Sequence, residues 1–309
     1  MLPPFFIKPR PFRGGLQEDQ MHIAALLGLL DAASRLDSAD LTPLVIAGRE
    51  IGLLNPDWKA QVVSHAEFQD DGARVVLAPA LDRYNDISAV LMRIARGWRD
   101  SGRLSGWRGE NFTAFAQDGT PLFELERAAF RPLGLISRAV HVNGLVRQAD
   151  GSLKMWIGRR SPHKSVEPDK LDNLTGGGVA AGESLLAALE RESWEEAGMP
   201  AAAVRELSSA GRVFAQRRVA RGLHREWLHT YDLWLDEGTV PCNQDGEMSE
   251  FVLMSPPEVV KAIVDGRFMA DAALVALDCL ARNRALGASS ARIVAALLPI
   301  KGSTSPLLA

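Results

Sequence analysis

The stretch Gly177-Gly-Val-Ala-Ala-Gly-Glu183-Ser-Leu-Leu-Ala-Ala-Leu-Glu-Arg191-Glu192-Ser-Trp-Glu195-Glu196-Ala-Gly198-Met199 decides how this 309-residue chain is read. Leu186, Leu189, Ser193 and Ala197 recur at helical spacing, which predicts a helix over about 184–197 with these residues on its packed face. Gly198 is a natural terminator for it. Glu192, Glu195 and Glu196 stand at i, i+3 and i+4, so their carboxylates emerge together beside that face. Like charges so gathered repel each other and weaken an isolated helix. Arg191 can meet Glu195 one turn on, but one guanidinium does not balance three carboxylates. A hard divalent cation does, and magnesium takes oxygen ligands while keeping waters and substrate phosphates. Acid-rich helices are mostly solvated faces; here the spacing of the acids, rather than their number, argues for chemistry.

That stretch resembles the Nudix box, G-x5-E-x7-R-E-U-x-E-E-x-G-U with U a bulky apolar residue, at every fixed position: Gly177, Glu183, Arg191, Glu192, Glu195, Glu196 and Gly198. A chance match in a chain this long is on the order of 10⁻⁶ at ordinary residue usage. Ser193 departs from the pattern, standing where an apolar residue is usual; a hydroxyl that bonds back to a helix carbonyl is expected to be tolerated there. The resemblance implies an α/β fold, the Nudix α/β/α sandwich with a mixed sheet. It also implies hydrolysis of a diphosphate linkage with Mg²⁺, Mn²⁺ substituting. Carried over by position, it makes Glu192, Glu195 and Glu196 the metal-binding carboxylates and Arg191 the residue that orients them. Glu183 would support the loop–helix junction, and Gly177 would let the backbone approach the metal. Glu247, in Asp245-Gly246-Glu247, is the candidate for a further ligand or general base, against the plainer reading of a turn acid. The implied mechanism is water attack on phosphorus with the departing phosphate stabilised by metal charge.

Further stretches are similar to the Nudix part of thiamine pyrophosphokinase fusion proteins. They are Met155-Trp-Ile-Gly-Arg159-Arg160-Ser161, Leu171-Asp172-Asn173, Tyr231-Asp232-Leu233, Asp245-Gly-Glu247-Met-Ser-Glu-Phe251 and Leu274-Val-Ala-Leu-Asp278. That branch carries a preceding domain of unassigned function, matched in type and order by Gly106-Trp107-Arg108-Gly-Glu110, Glu126-Arg127 and Val140-His141-Val-Asn143-Gly144. The likeness runs from about residue 40 to 285. It implies thiamine diphosphate or a damaged analogue as substrate and the monophosphate as product. Where the branch has Trp-Pro-Gly before Leu-Asp-Asn, this chain has Glu167-Pro168-Asp169-Lys170, which removes a stacking platform. Arg159, Arg160, Asp172 and Asn173 are the substrate-binding candidates. The two arginines alternate across a strand, so one can reach a phosphate by its bidentate fork while the other meets solvent. His141 reads as satisfying a local hydrogen bond rather than as catalytic. Trp107, Arg108 and Glu110 read either as a stacked, paired corner or as residues lent to the pocket.

The remaining sequence bounds these readings. A formal charge of −3 provides no basic field for a nucleic-acid polymer, leaving a small anionic ligand held by local Arg and Lys. No apolar run reaches membrane-span length. Cys242 and Cys279 fall in no metal-ligand spacing, and so few cysteines fit a reducing cytoplasm better than a disulfide framework. Residues 1–20 read as a loosely ordered lead-in without signal-peptide features, with a helix starting near Met21. Residues 21–135 read as a smaller N-terminal α+β domain of unassigned function, with strands around Gly48, a strand over 73–77, a helix over 86–99 and a hairpin around Asp118-Gly119. Residues 136–309 read as the Nudix domain with C-terminal helices. Within it stand strands over 139–146 and 154–158, a glycine-rich loop at 176–178 that no Gly-Lys-Ser/Thr follows, strands near 211–219, 226–235 and 250–254, and a capped helix start at Ser255-Pro-Pro-Glu258. A homodimer is expected from the frequency of two-fold assemblies.

Three other functions compete with a thiamine diphosphatase. A general nucleoside-diphosphate-derivative pyrophosphohydrolase uses the same box. An enzyme like isopentenyl diphosphate isomerase needs a cysteine near the loop before the box, and no cysteine precedes Cys242. A non-catalytic ligand sensor would be expected to lose box glutamates, and none is missing.

Overall fold

The computed structural model describes residues 16–164 and 166–301, with side chains from residue 20 onward. Helix α1 (Leu16–Ser34) begins ahead of the Met21 start that periodicity suggested, inside the stretch read as a lead-in. Leu26 and Leu30 on it are fully buried, and tertiary contact rather than local signal sustains the helix. Hairpin β1 (Thr42–Ile46) and β2 (Arg49–Leu54) turns at Ala47-Gly48. Helix α2 (Pro56–Val63) follows, with Asn55 accepting from the Trp58 N–H at 2.8 Å and Pro in the first turn. Strands β3 (Phe68–Asp70) and β4 (Val75–Leu77) complete a four-stranded sheet of order β2-β1-β4-β3. Helix α3 (Tyr84–Asp100) buries Ile87, Leu91 and Ile94. Hairpin β5 (Asn111–Phe115) and β6 (Pro121–Glu126) lies around Asp118-Gly119, and the short α4 (Phe130–Leu133) ends at Gly134 with φ +57°.

The second half is built on one mixed sheet. Its strands are β7 (Ser137–Arg147), β8 (Leu153–Arg160), β9 (Leu171–Asp172), β10 (Thr175–Gly178), β11 (Ser209–Val219), β12 (Gly222–Leu235) and β13 (Met248–Met254). The order is β11-β12-β7-β8-β13, with β10 added on β7 and β9 on β8; β12 runs parallel to β7 and the other pairs are antiparallel. Helices α5 (Leu185–Ala197) and α6 (Ala201–Val204) cover one face through Leu189, Val204, Val140 and Val142. Helices α7 (Pro256–Val264), α8 (Ala270–Arg282) and α9 (Ser290–Lys301) cover the other through Val259, Val275 and Leu297. This is the expected α/β/α sandwich. Helix α1 joins the second layer, since Leu26 and Leu30 belong to the same core as Leu297.

Two features of the fold position the site. The glycine run read as a loop is the strand β10, with Gly176, Gly177 and Gly178 opposite His141, Val140 and Ala139. The β11–β12 hairpin, in turn, is driven into the leading region. A Cβ on Gly222 (φ +129°) would lie 2.2 Å from the Arg131 carbonyl oxygen. The Trp58 indole donates to the Arg221 carbonyl at 3.1 Å, and Arg225 donates to the Gly134 carbonyl at 2.8 Å. Such contacts demand close, fixed packing of the two halves.

Candidate active site

Helix α5 starts where Ser184 accepts from the Ala187 N–H at 3.1 Å and ends at Gly198, left-handed at φ +67°. Its buried stripe is rotated from the one periodicity suggested. Leu186 is 44% exposed, and the buried residues are Ala188, Leu189, Glu192, Ser193, Glu196 and Ala197. Two of the box glutamates are thus drawn into the protein while Glu195 stays at the surface. Ser193 is fully buried, yet its hydroxyl has no hydrogen-bond partner, so the expected bond back to a helix carbonyl is not made. Its small volume, rather than its polarity, is what the site uses.

At each of the three glycines of β10 the space of a side chain is taken by a residue of a different element. A Cβ on Gly177 would lie 1.9 Å from Glu192 Oε1; one on Gly176 would lie 2.7 Å from His141 Nδ1, and one on Gly178 2.5 Å from the Phe112 ring. Only a strand without side chains lets the α5 carboxylates, the β7 imidazole and a phenyl ring from the leading region converge on its backbone.

Arg191 organises the acids. It donates to both oxygens of Glu183 at 2.9 and 3.0 Å, to Glu192 at 2.6 Å, to Glu195 at 3.3 Å and to the Gly178 carbonyl at 3.1 Å. Glu183 also accepts from the Ala180 N–H at 3.0 Å, which ties the loop to the helix as expected. Above all the Glu183 bond, and then Glu192, holds the Arg191 guanidinium protonated beyond its ordinary range. Glu196 is 1% exposed and accepts from the Gly176 N–H at 2.8 Å. Burial, with Glu192 and Asp172 nearby, pushes its carboxyl well up; burial also pushes Glu192 up against the pull of Arg191. Lys164 Nζ stands 3.9 Å from Glu196 and pairs with Glu247, and burial pushes this ammonium down.

This donor set fits a hard divalent cation. It offers carboxylate oxygens, two of them on groups whose charge is disfavoured by burial and mutual repulsion, against a backbone that carries no Cβ. Here Arg191 and Lys164 supply the compensating charge. Among the described residues, the ligand atoms that converge within 4.8 Å of one another are instead those of His224, Glu226 and Asp271.

Both clusters line one cavity of about 480 Å³. Arg191, Glu192, Glu195, Lys164, Asp245 and Glu247 surround one end. The leading region adds a wall of Arg108, Glu110, Phe112, Arg127, Phe130 and Arg131. Of the substrate-binding candidates, Arg160 lines the cavity, paired with Asp172 at 2.8 Å and donating to the Val166 carbonyl at 3.0 Å. Arg159 points away from it and pairs with Glu250, as strand alternation requires. Asp172 and Asn173 are each 1% exposed and sit behind the wall. Asp172 holds Arg160; Asn173 Oδ1 meets His141 Nδ1 at 2.9 Å, the local bond predicted for that imidazole. The Trp107 trio divides: Arg99 lies over the Trp107 ring at 4.6 Å, whereas Arg108 and Glu110 face the cavity, where Glu110 pairs with Arg127. Arg131, His224, Glu226 and Asp271 were not singled out from sequence. They are isolated in the chain, and no spacing pattern ties them together.

A NUDIX domain model matches residues 137–272, and a model described as a domain of unknown function (DUF4743) matches residues 25–137. Nudix hydrolase 24, chloroplastic, of Arabidopsis thaliana is 30% identical over 279 residues, covering 84% of this chain and 73% of that protein. Nudix hydrolase 20, chloroplastic, of the same plant is 35% identical over 211 residues, covering 68% of this chain and 56% of that protein. The crystal structure of DR0079 from Deinococcus radiodurans overlays with a TM-score of 0.40 at 25% identity, covering 55% of this chain and 98% of that one. With every fixed position of the box present and a relative matched over most of both lengths, this chain belongs to the Nudix hydrolases, enzymes acting on diphosphates, and carries the domain of unknown function ahead of its Nudix domain.

Proposed function

We propose that the chain hydrolyses the diphosphate linkage of a small organic diphosphate to the monophosphate, with Mg²⁺ held by Glu192, Glu195 and Glu196 beside the Gly177 backbone and Mn²⁺ able to substitute. The observation that carries this reading is the contact between Gly177 and Glu192, which leaves space for backbone and carboxylate to share one ligand and none for a side chain. A bound divalent ion would supply charge neutralisation of the diphosphate and a lower pKa for the attacking water. Arg191 sets Glu192 and Glu195 in place. Arg160 and Lys164 present cationic groups to the same cavity for the phosphate oxygens. Glu247, held by Lys164 at the rim, is the base that can take a proton from water. Asp172 and Asn173 act on substrate through Arg160 and His141, which they hold. Arg159 is left to the Glu250 pair.

The substrate within this class is the finer step. Resemblance to the thiamine pyrophosphokinase fusion branch supports thiamine diphosphate or its oxidised analogues; the box alone supports nucleoside-diphosphate derivatives equally. We also take the leading domain to end at about residue 135, with α1 counted with the C-terminal core into which it packs. One assay tests the function: the purified full chain with magnesium against thiamine diphosphate, its oxo form, nucleoside diphosphates, nucleotide sugars and dinucleotides. Turnover of one or more to the monophosphate is expected. Absence of turnover across the panel sinks the hydrolase reading for these substrates, and turnover without preference for the thiamine compounds sinks the branch assignment alone.

A further inference from the structure

The cavity is longer than a diphosphate needs. Gly177 and His229 flank the same residue, Val140, on opposite sides of β7. His224 precedes His229 by five positions on β12, which at about 3.3 Å per residue places the far end of the cavity roughly 16 Å along the sheet from the box. At that end Arg131, from the leading domain, faces the cavity together with Arg221, His224, Glu226 and Asp271.

The charges there do not cancel. Arg217 donates to Asp271 Oδ1 at 2.5 Å and to Oδ2 at 3.3 Å, which satisfies that acid. Glu110 pairs with Arg127. Glu226 accepts from the Ser137 hydroxyl at 2.6 Å. Arg131 is partly buried, and its contact with the imidazole is a long one, 3.5 Å from Nη2 to His224 Nδ1. Arg221 donates to the Ser105 carbonyl at 3.3 Å. Among the described residues neither arginine has a carboxylate within 4.0 Å. Burial, with Arg221 and Arg217 close by, outweighs the more distant pull of Glu226 and Asp271 and holds the Arg131 guanidinium below its ordinary range. A desolvated guanidinium lacking a carboxylate is costly to keep, and an anion arriving in the cavity repays that cost.

A second cation at His224, Glu226 and Asp271 is the competing reading, since their ligand atoms lie within 4.8 Å of one another. It fails on charge. The Arg217 guanidinium already occupies both oxygens of Asp271, and Arg131 stands against the imidazole, so a dication would sit between two positive groups.

We propose that the domain of unknown function completes the substrate site through Arg131, whose guanidinium binds an anionic group, phosphate or carboxylate, on the part of the substrate remote from the scissile diphosphate. This deepens the proposed function and rests on the cavity being the substrate site. It selects organic diphosphates that bear a second anionic group, which thiamine diphosphate lacks.

The test uses inorganic phosphate as the probe, titrated calorimetrically into the metal-free full chain in chelator. Without metal, Glu192, Glu195 and Glu196 oppose an anion beside Arg160 and Lys164, and the difference between the wild type and the Arg131 variants reports the far end. The wild-type chain is expected to bind one phosphate. Arg131→Met is expected to weaken it by at least about tenfold, and Arg131→Lys less, because lysine keeps the charge and loses the fork. If Arg131→Met does not fold, Arg131→Lys decides by the same comparison. No phosphate binding by the wild type, or equal binding by the folded variants, overturns the assignment. Neither metal nor turnover enters this titration, so an inactive chain in the hydrolysis assay would leave its outcome intact, and an active chain that binds no phosphate here would lose only the Arg131 assignment.

Discussion

The two ends of the cavity hold similar residue types and were built on opposite principles. At the box end, the acids and their arginine come from one helix and the loop before it, and Glu183, Arg191, Glu192 and Glu195 bond to one another across eight residues or fewer. At the far end, Arg131, Asp271 and His224 come from α4, α8 and β12, and meet only because the β11–β12 hairpin docks into the leading domain. The box end leaves its buried carboxylates short of positive charge, with Glu192 and Glu196 pushed up. The far end saturates Asp271 and leaves guanidinium over. Although burial opposes it, His224 and Arg217 hold Asp271 far below the usual carboxylate range. The box end has the donors for a cation, whereas at the far end the acid is already paired and guanidinium is in excess. Function and stability should therefore separate along the cavity.

The largest effect that can break this contrast is catalytic. Glu195→Gln or Glu196→Gln should lower kcat for the best substrate about 10²–10³-fold, the scale on which a directed charge stabilises a transition state. In metal-free buffer Glu196→Gln should leave the melting temperature unchanged or raise it, because it removes a buried carboxylate that Glu192 and Asp172 repel. Activity within twofold of wild type would reduce the box to a structural turn.

Next in size is the far end, where the loss should fall on stability. Asp271→Asn strands Arg217 and should cost about 3–5 kcal/mol, as breaking one partner of a buried pair does. Chemical denaturation reads it directly. A cost under 1 kcal/mol would mean that this end is as loosely held as a surface pair, and the contrast would collapse.

The smallest effect concerns the sheet that both ends share. Burial, followed by Arg138 and Arg212, lowers the His229 imidazole from 6.5 to about 4 in the folded chain. The unfolded chain then binds the extra proton first, so the stability His229 allows is fully present above about pH 6.5 and is lost as pH falls toward 4. The full loss is about 3 kcal/mol. His229→Leu should flatten the decline of melting temperature between those pH values, and an unchanged slope would place the acid sensitivity elsewhere.

Much of the fold was legible for local reasons. Gly198 and the Ser255–Glu258 capping box mark helix ends because their partners lie within a few residues, whereas α2 behind its Asn55 cap was not read from the sequence. The hairpins around Gly48 and Asp118-Gly119 follow from turn chemistry. Misreadings arose where partners are distant. Leu186 fits the helical period, yet the sheet meets α5 on the side of Leu185 and Ala188, which turns Glu192 and Glu196 inward. The glycine run looks like a loop in sequence because nothing local says that His141, Glu192 and Phe112 need its surface. Leu26 and Leu30 seat α1 in the core of the C-terminal helices, a partnership its local sequence does not show.

The box by itself determined the chemistry class and the acids proposed for it, since gathering carboxylates on one helix is a matter of spacing along one backbone. Only the tertiary structure decided which of those acids are buried, that Arg160 faces the cavity while Arg159 does not, and that a separate domain closes the cavity with Arg131. Burial and side-chain direction depend on which surfaces pack together, and a linear spacing does not carry that information for residues 93 positions apart such as Arg131 and His224.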